Sequence, residues 1–150
     1  MAPTYVTTGC KFSHSSLTYR LANATDSAAW DTMFAQWATT DLNFTRVTSG
    51  TTHVFAQSYY FSGVTWDGLA QLTCSSGTTT QATVSLNRAY TDGYSTYKRR
   101  SVAGHEIGHA IGLAHRSGCH LMNGVTATRW DSCGIWTLTL DERNGANALY

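Results

Sequence analysis

Residues 105–115 read His105-Glu-Ile-Gly-His109-Ala-Ile-Gly112-Leu-Ala-His115, a segment of the form HExxHxxGxxH. On a helix, residues four apart lie on the same face one turn apart, so His105 and His109 can direct both imidazoles at one ion. Glu106 lies about 100° further around the helix, beside the ion but not bound to it. Two metal ligands and a candidate general base therefore come from one rigid element.

The end of this segment supplies a third ligand. Glycine adopts a left-handed conformation without steric penalty, so Gly112 can end the helix and turn the chain back towards the metal. His115 then completes a set of three protein ligands, which leaves a fourth position for water, as in catalytic zinc sites. Neutral imidazoles suit zinc, although spacing alone also admits other transition metals. The alternative is an inactive relative that retains zinc only for structure.

The length and charge of the chain limit its class. At 150 residues we expect one catalytic domain over residues 1–150. Ten basic and nine acidic residues leave a net charge of +1, which indicates neither a nucleic-acid partner nor a membrane surface. No run of 18 apolar residues predicts a membrane span. The start, Met1-Ala2-Pro3, lacks the charged and apolar regions of a signal peptide, so we interpret the sequence as a mature domain with an initiator Met.

The four cysteines indicate an oxidising compartment. An even number without CxxC pairs is typical of two disulfide bonds in a secreted protein, and the low share of charged residues, 13%, agrees with secretion. Of the three possible pairings we favour Cys119 with Cys133 and Cys10 with Cys74, since the first would tie down the irregular segment after the metal motif. The competing interpretation makes Cys119 a fourth zinc ligand.

The remaining pattern predicts an α+β fold. Alternation of apolar and polar residues over 16–21 predicts a strand, and an amphipathic helix over 26–39 follows, with Trp30, Met33, Phe34 and Trp37 as a core-facing stripe and Thr25 or Asp26 as its cap. Short β-branched or aromatic segments predict four more strands over 43–47, 53–59, 68–74 and 81–87. A loop around 92–93 precedes the motif helix over 95–111. The capping-box sequence Thr139-Leu-Asp-Glu142 opens a last short helix that ends near Tyr150.

Met122 follows the motif by seven residues, in Cys119-His-Leu-Met-Asn, and the whole segment resembles the metzincin clan of zinc metalloendopeptidases, in which a Met-containing turn lies beneath the zinc. The surroundings of Met122 are similar to the small bacterial snapalysins. Snapalysins, however, usually have Asp at the position of His115. Matrixins have His at this position, as this chain does. The resemblance therefore implies a snapalysin-like or a minimal matrixin-like enzyme.

The resemblance also implies a twisted, mixed five-stranded sheet whose fourth strand is an antiparallel edge above the active-site cleft. Here that strand is 68–74, and a strand edge can bind an extended peptide by strand addition. We expect main-chain contacts to substrate at Ala70 and Leu72, although their side chains are as well explained by ordinary packing. The loop 124–136 is expected to form a wall of the pocket for the residue after the scissile bond. Trp130 and Trp136 are its apolar candidates, and either is equally suited to the core.

The sequence predicts a secreted zinc endopeptidase, with one catalytic zinc, Glu106 as base and protein or peptide substrates. We expect a monomer. A peptidase with a narrow target, such as a cell-wall peptide, and a non-catalytic module that binds zinc for stability are the alternatives. Asp67, Asp92 and Asp131 are candidates for a calcium site, for which solvated loop acids are the simpler explanation.

Overall fold

The computed structural model describes residues 5–150, so the interpretation of Met1-Ala2-Pro3 lies outside the described residues. The strands are β1 (Ser16–Leu21), β2 (Asn43–Arg46), β3 (Val54–Tyr59), β4 (Gly68–Ser75) and β5 (Thr78–Asn87). The helices are α1 (Ser27–Trp37), α2 (Arg88–Thr91), α3 (Thr96–Ile111) and α4 (Leu140–Leu149), with a π-helical turn at Ala127–Ser132.

The five strands form one mixed sheet in the order β2-β1-β3-β5-β4. β1 pairs in parallel with β2 and β3, β3 pairs in parallel with β5, and β4 is the antiparallel strand at the edge. This architecture confirms the predicted α+β fold with its antiparallel fourth strand. β5 begins at Thr78 rather than at residue 81, because Ser76 and Gly77 both have positive φ and form a tight turn that lets β5 pair with β4 from its first residue.

Helix α1 packs its aromatic stripe into the core, as predicted. Trp30, Met33, Phe34 and Trp37 are fully buried, and the indole of Trp37 donates to the carbonyl of Gly104 in α3 (3.0 Å). The predicted side-chain cap was wrong, since the helix has no side-chain capping hydrogen bond. Asp26 occupies the cap position in a left-handed conformation (φ 59°), and its carboxylate lies 3.9 Å from the guanidinium of Arg99.

Helix α3 packs against α1 and against β4 and β5, and it carries the metal motif. Its first turn is capped by Ser95, whose side chain accepts from the backbone N–H of Lys98. It ends at Gly112, which has a φ of 119°. A Cβ at Gly112 would lie 2.4 Å from the carbonyl oxygen of Cys10, so both the conformation and the space require glycine. The short helix α2, capped by Asn87, was not predicted.

Two disulfide bonds and a capping box complete the fold. Cys10 is bonded to Cys74 in β4, and Cys119 to Cys133 across the segment after α3, which are the pairings favoured from the sequence. Because its sulfur forms a disulfide, Cys119 is not a metal ligand in this structure. The predicted capping box of α4 is present, with the backbone N–H of Thr139 donating to the Glu142 carboxylate. None of the helices within residues 5–150 has the length and hydrophobicity needed to span a membrane.

Candidate metal centre and active-site cleft

The three histidines of the motif come together at the end of α3. The Nε2 atoms of His105 and His109 are 3.1 Å apart, and the ring of His115 lies 5.2 Å and 4.7 Å, between centroids, from those of His105 and His109. One nitrogen from each ring lies within 4.8 Å of the others. The arrangement offers three converging nitrogen ligands.

Hydrogen bonds select the tautomer of the two helix histidines. The Nδ1 of His105 lies 2.8 Å from the carbonyl oxygen of Leu121, and the Nδ1 of His109 lies 2.8 Å from that of Leu113. A carbonyl oxygen only accepts, so both Nδ1 atoms carry hydrogen and both Nε2 lone pairs face the centre.

Burial keeps both imidazoles neutral, which is the form that binds metal. It lowers the pKa of His105 well below its usual value and that of His109 to about 4. Two ligand nitrogens on a tetrahedral zinc are separated by about 3.3 Å, given Zn–N bonds of about 2.05 Å. The 3.1 Å between the two Nε2 atoms fits that geometry, so these residues suit zinc.

His115 is delivered by the turn that follows Gly112. Backbone hydrogen bonds hold the turn, among them Ala114 N–H to Val6 O (2.8 Å) and Arg116 N–H to Met122 O (2.9 Å). The ring of His115 packs on Gly124, where an added Cβ would lie 2.7 Å from its Cε1 and Nδ1 atoms. The position of the third ligand therefore depends on the absence of a side chain at Gly124.

Met122 packs against α3 at Gly108, the residue before His109. Its sulfur lies so close to Gly108 that a Cβ there would be 2.3 Å away, and Met122 is 2% exposed. Its backbone N–H donates to Glu142 Oε1 (3.0 Å), while the carbonyl of the same peptide unit, from Leu121, accepts from His105. One peptide group thus connects the buried carboxylate of Glu142 to the metal-site histidine.

Glu106 lies beside the histidines and is 6% exposed. Its carboxylate packs against Gly68 at the start of β4, where an added Cβ would lie 2.7 Å from Oε1. Burial raises the pKa of Glu106 to about 8 because desolvation penalises the charged form, although the positive charge of Arg129 opposes this. A carboxyl group that exchanges a proton near neutral pH suits a general base.

A cleft of about 570 Å³ runs over these groups between β4 and the segment after Met122. Its walls are formed by the residues before and at the start of β4, two tyrosines, the three histidines with Glu106, and the segment after the Met turn: Thr65, Trp66, Asp67, Gly68, Leu69, Ala70, Tyr90, Tyr94, His105, Glu106, His109, His115, Gly124, Val125, Thr126 and Arg129. The histidine centre therefore opens onto a groove, and an edge strand borders it.

Of the four residues predicted to contact substrate, one lines the cleft and three do not. Ala70 lines the cleft, whereas Leu72, Trp130 and Trp136 are not among the residues that line it. Trp136 packs on the ring of Tyr97 (5.0 Å between centroids) and on the guanidinium of Arg100. Of the predicted loop 124–136, the residues that line the cleft are Gly124, Val125, Thr126 and Arg129, so the roles of Trp130 and Trp136 in substrate binding stay a prediction.

Two polar residues of the cleft, Arg129 and Tyr94, were missed from the sequence, and Asp67 was considered only as a calcium ligand. Arg129 is 1% exposed, and its burial lowers its pKa. Across the cleft, the hydroxyl of Tyr94 donates to Asp67 Oδ2 (2.9 Å). No spacing in the sequence connects these residues, since Asp67 precedes β4, Tyr94 precedes α3 and Arg129 lies in the π-helical turn.

The three acids considered for calcium do not converge. Within residues 5–150 they belong to no group with metal-binding geometry, and each contacts a different side chain. Asp67 accepts from Tyr94, Asp92 from Arg88 and Tyr60, and Asp131 from Lys98.

Comparison with known proteins agrees with this geometry. No curated protein sequence matches the chain. The matrixin family model matches residues 7–150, which includes the three histidines, Glu106 and Met122. Matrixins are metzincins, and the match supports the matrixin alternative that His115 indicated. The chain therefore belongs to the matrixin family of zinc metallopeptidases.

Proposed function

We propose that this protein is a secreted zinc-dependent endopeptidase in which Glu106 is the general base. The observation that carries the proposal is the position of a buried carboxylate beside three converging imidazoles in a cleft bordered by an edge strand. A site that held zinc only for structure would need neither the open cleft nor the carboxylate.

The residues divide the chemistry of peptide hydrolysis between them. Zinc, when held by His105, His109 and His115, supplies the Lewis acid that polarises the scissile carbonyl and acidifies the attacking water. Glu106 accepts the proton of that water at a carboxylate oxygen and then donates it to the leaving amine. The carbonyl partners of His105 and His109 keep these two rings in one orientation throughout.

The substrate is proposed to bind as an extended peptide along β4. Strand addition supplies main-chain hydrogen bonds that are independent of sequence, and the alternate side chains fill pockets. Ala70 lies where such a chain would pass next to Glu106, with Leu72 two residues further along the same strand. The two disulfide bonds support secretion, because such bonds persist in oxidising compartments.

The test compares the wild type with Glu106→Ala and Glu106→Gln at equal zinc content. We expect both variants to lose roughly 10²- to 10⁴-fold in kcat on a casein-derived peptide, because neither side chain can accept a proton. Circular dichroism should show the fold of the wild type. The matched control is Asp31→Asn, which neutralises a carboxylate of α1 that binds Arg46 outside the cleft and should retain the kcat of the wild type.

Full activity in both Glu106 variants would remove Glu106 from the mechanism. A wild type that binds zinc but cleaves no peptide would instead favour the non-catalytic zinc module. Digestion of casein separates the remaining alternatives: broad fragmentation indicates a general endopeptidase, while activity confined to a single peptide indicates a narrow target.

A further inference from the structure

Arg129 is a charged side chain buried at the base of the cleft, outside the proposed catalytic set. It belongs to the π-helical turn Ala127–Ser132 and is 1% exposed. Burying a guanidinium is costly unless its N–H groups are satisfied, and a π-helical turn is itself an uncommon backbone form. Such a cost indicates that the side chain has a specific role here.

The guanidinium connects three separate parts of the site. Its Nε donates to Ser101 Oγ in α3 (2.8 Å), one turn before His105. One terminal nitrogen donates to the carbonyl of Asn123 (2.6 Å), and the other donates to Thr126 Oγ1 (2.9 Å). One planar group with fixed geometry therefore joins the active-site helix to both ends of the segment 123–126.

That segment forms the cleft wall opposite β4. Gly124, Val125 and Thr126 line the cleft, and Val125 is 57% exposed, so of the segment 123–126 Asn123 alone is buried. Its other hydrogen bonds are local. Val125 N–H donates to Asn123 Oδ1 and Arg129 N–H to Val125 O, while Asn123 donates from its backbone to His120 O and from its side chain to Gly118 O. Among the hydrogen bonds of the described residues, those from the Arg129 side chain attach this wall to α3.

We propose that Arg129 is a positioning residue that sets the width of the pocket beside Glu106, and thereby selects which side chain of the substrate follows the scissile bond. The inference rests on the proposed function for its substrate class, an extended peptide. By holding the wall 123–126 at a fixed distance from α3, the guanidinium keeps the pocket narrow. Loosening it lets the wall move outwards, so larger side chains fit better.

The test measures selectivity rather than activity. Peptides identical except for Ala or Phe after the scissile bond are compared by the ratio of their kcat/KM values, Phe over Ala. Arg129→Lys keeps the charge but places all its donors on one nitrogen, which cannot reach the three separate acceptors of the guanidinium, and we expect it to raise the ratio by about tenfold. A variant that merely unfolds more easily loses activity equally on both peptides, so its ratio would not change.

Ser101→Ala provides a second variant that does not remove the buried charge. Ser101 is fully buried and does not line the cleft, so its substitution releases one anchor without altering the pocket surface. We expect this variant to raise the Phe/Ala ratio as well, but by less than Arg129→Lys. Arg99→Lys is the matched control. Arg99 is a partly buried arginine of α3 that, like Arg129, donates to a backbone carbonyl, here that of Thr91, but it lies outside the cleft lining.

Hydrogen exchange tests whether the Arg129 side chain clamps the wall 123–126 to α3, and it requires no catalytic activity. In Ser101→Ala the amides of residues 123–127 should exchange faster than in the wild type, while those of α4 stay unchanged. An unchanged Phe/Ala ratio in Arg129→Lys would overturn the proposal. Should that variant not fold, an unchanged ratio in Ser101→Ala would do so. Unchanged hydrogen exchange in the wall would also overturn it. A wild type that cleaves neither peptide would instead contradict the proposed function, and the exchange experiment would still decide on the clamp.

Discussion

At the residue scale, two positions beside the metal centre must be glycine because no space is left there for a side chain. Gly108 accommodates the sulfur of Met122, and Gly124 accommodates the ring of His115. Neither requirement can be read from the motif: position 108 is one of its variable residues, and 124 lies nine residues beyond its end. The ligand geometry therefore depends on side chains that are absent as well as on those that bind.

We expect Gly124→Ala to weaken zinc binding, by about 10- to 100-fold, the range found when the support of a ligand is disturbed. The added Cβ would lie 2.7 Å from the His115 ring, so the ring must move. Competition with a chromophoric chelator measures the affinity. Gly93→Ala is the matched control, since its Cβ would make only an ordinary contact at 3.6 Å from the carbonyl of Tyr90. Unchanged affinity in Gly124→Ala would contradict this account.

Helix α4 supports the metal centre at the element scale. Glu142 serves both as the capping-box residue of α4 and as the acceptor for the Met122 N–H, and it is 1% exposed. The capping box is visible in the sequence, but the contact with Met122 is not. The C-terminal helix is thereby connected to His105 through one peptide unit.

Glu142→Gln should lower the free energy of unfolding by about 1–3 kcal/mol, because the amide nitrogen cannot accept and leaves one buried N–H unsatisfied. It should also weaken zinc binding. Thr139→Ala, which alters the cap but leaves the Met122 contact, should cost about 1 kcal/mol and retain the affinity for zinc. Urea unfolding and chelator competition measure the two effects. Equal zinc affinity in all three proteins would show that Glu142 acts on α4 alone.

At the scale of the whole molecule, His53 connects three parts of the N-terminal half. Its Nδ1 accepts from the backbone N–H of Thr18 in β1 (3.0 Å), and its ring packs edge-on against Phe12. Burial, and to a lesser extent the nearby His14, lowers the pKa of His53. The folded state therefore favours the neutral imidazole.

Since the pKa of His53 is lower in the folded than in the unfolded state, the unfolded state binds more protons as the pH falls. Stability from this group is thus present above the unfolded value of about 6.5 and is lost below it. We expect His53→Gln to reduce the loss of stability between pH 7.5 and 5.5. His14→Gln should retain most of this loss of stability, because burial lowers the pKa of His53 more than His14 does. Thermal unfolding across this range measures both, and identical slopes in wild type and His53→Gln would refute the assignment.

Much of the architecture was predictable because it depends on patterns of short range. The period of α1, the spacing of the three histidines, the turn at Gly112 and the capping box of Thr139 and Glu142 each involve neighbours within about one or two turns of helix. Backbone geometry alone decides such contacts. The strand β5 was predicted too short because its first residues, Thr78 and Thr79, show no alternation of apolar and polar residues. They belong to the strand because the turn pairs them with β4.

The local sequence thus specified the helix that holds two histidines, the bend that brings the third, and the carboxylate between them. Only tertiary structure decided what lines the cleft: the Tyr94–Asp67 pair, the clamp formed by Arg129, and the placement of Trp136 on Tyr97 and Arg100 outside the cleft. The physical reason is that these contacts join residues far apart in the chain. Whether a polar or aromatic side chain faces the cleft or the core depends on packing between elements, which carries no periodic signal in the sequence.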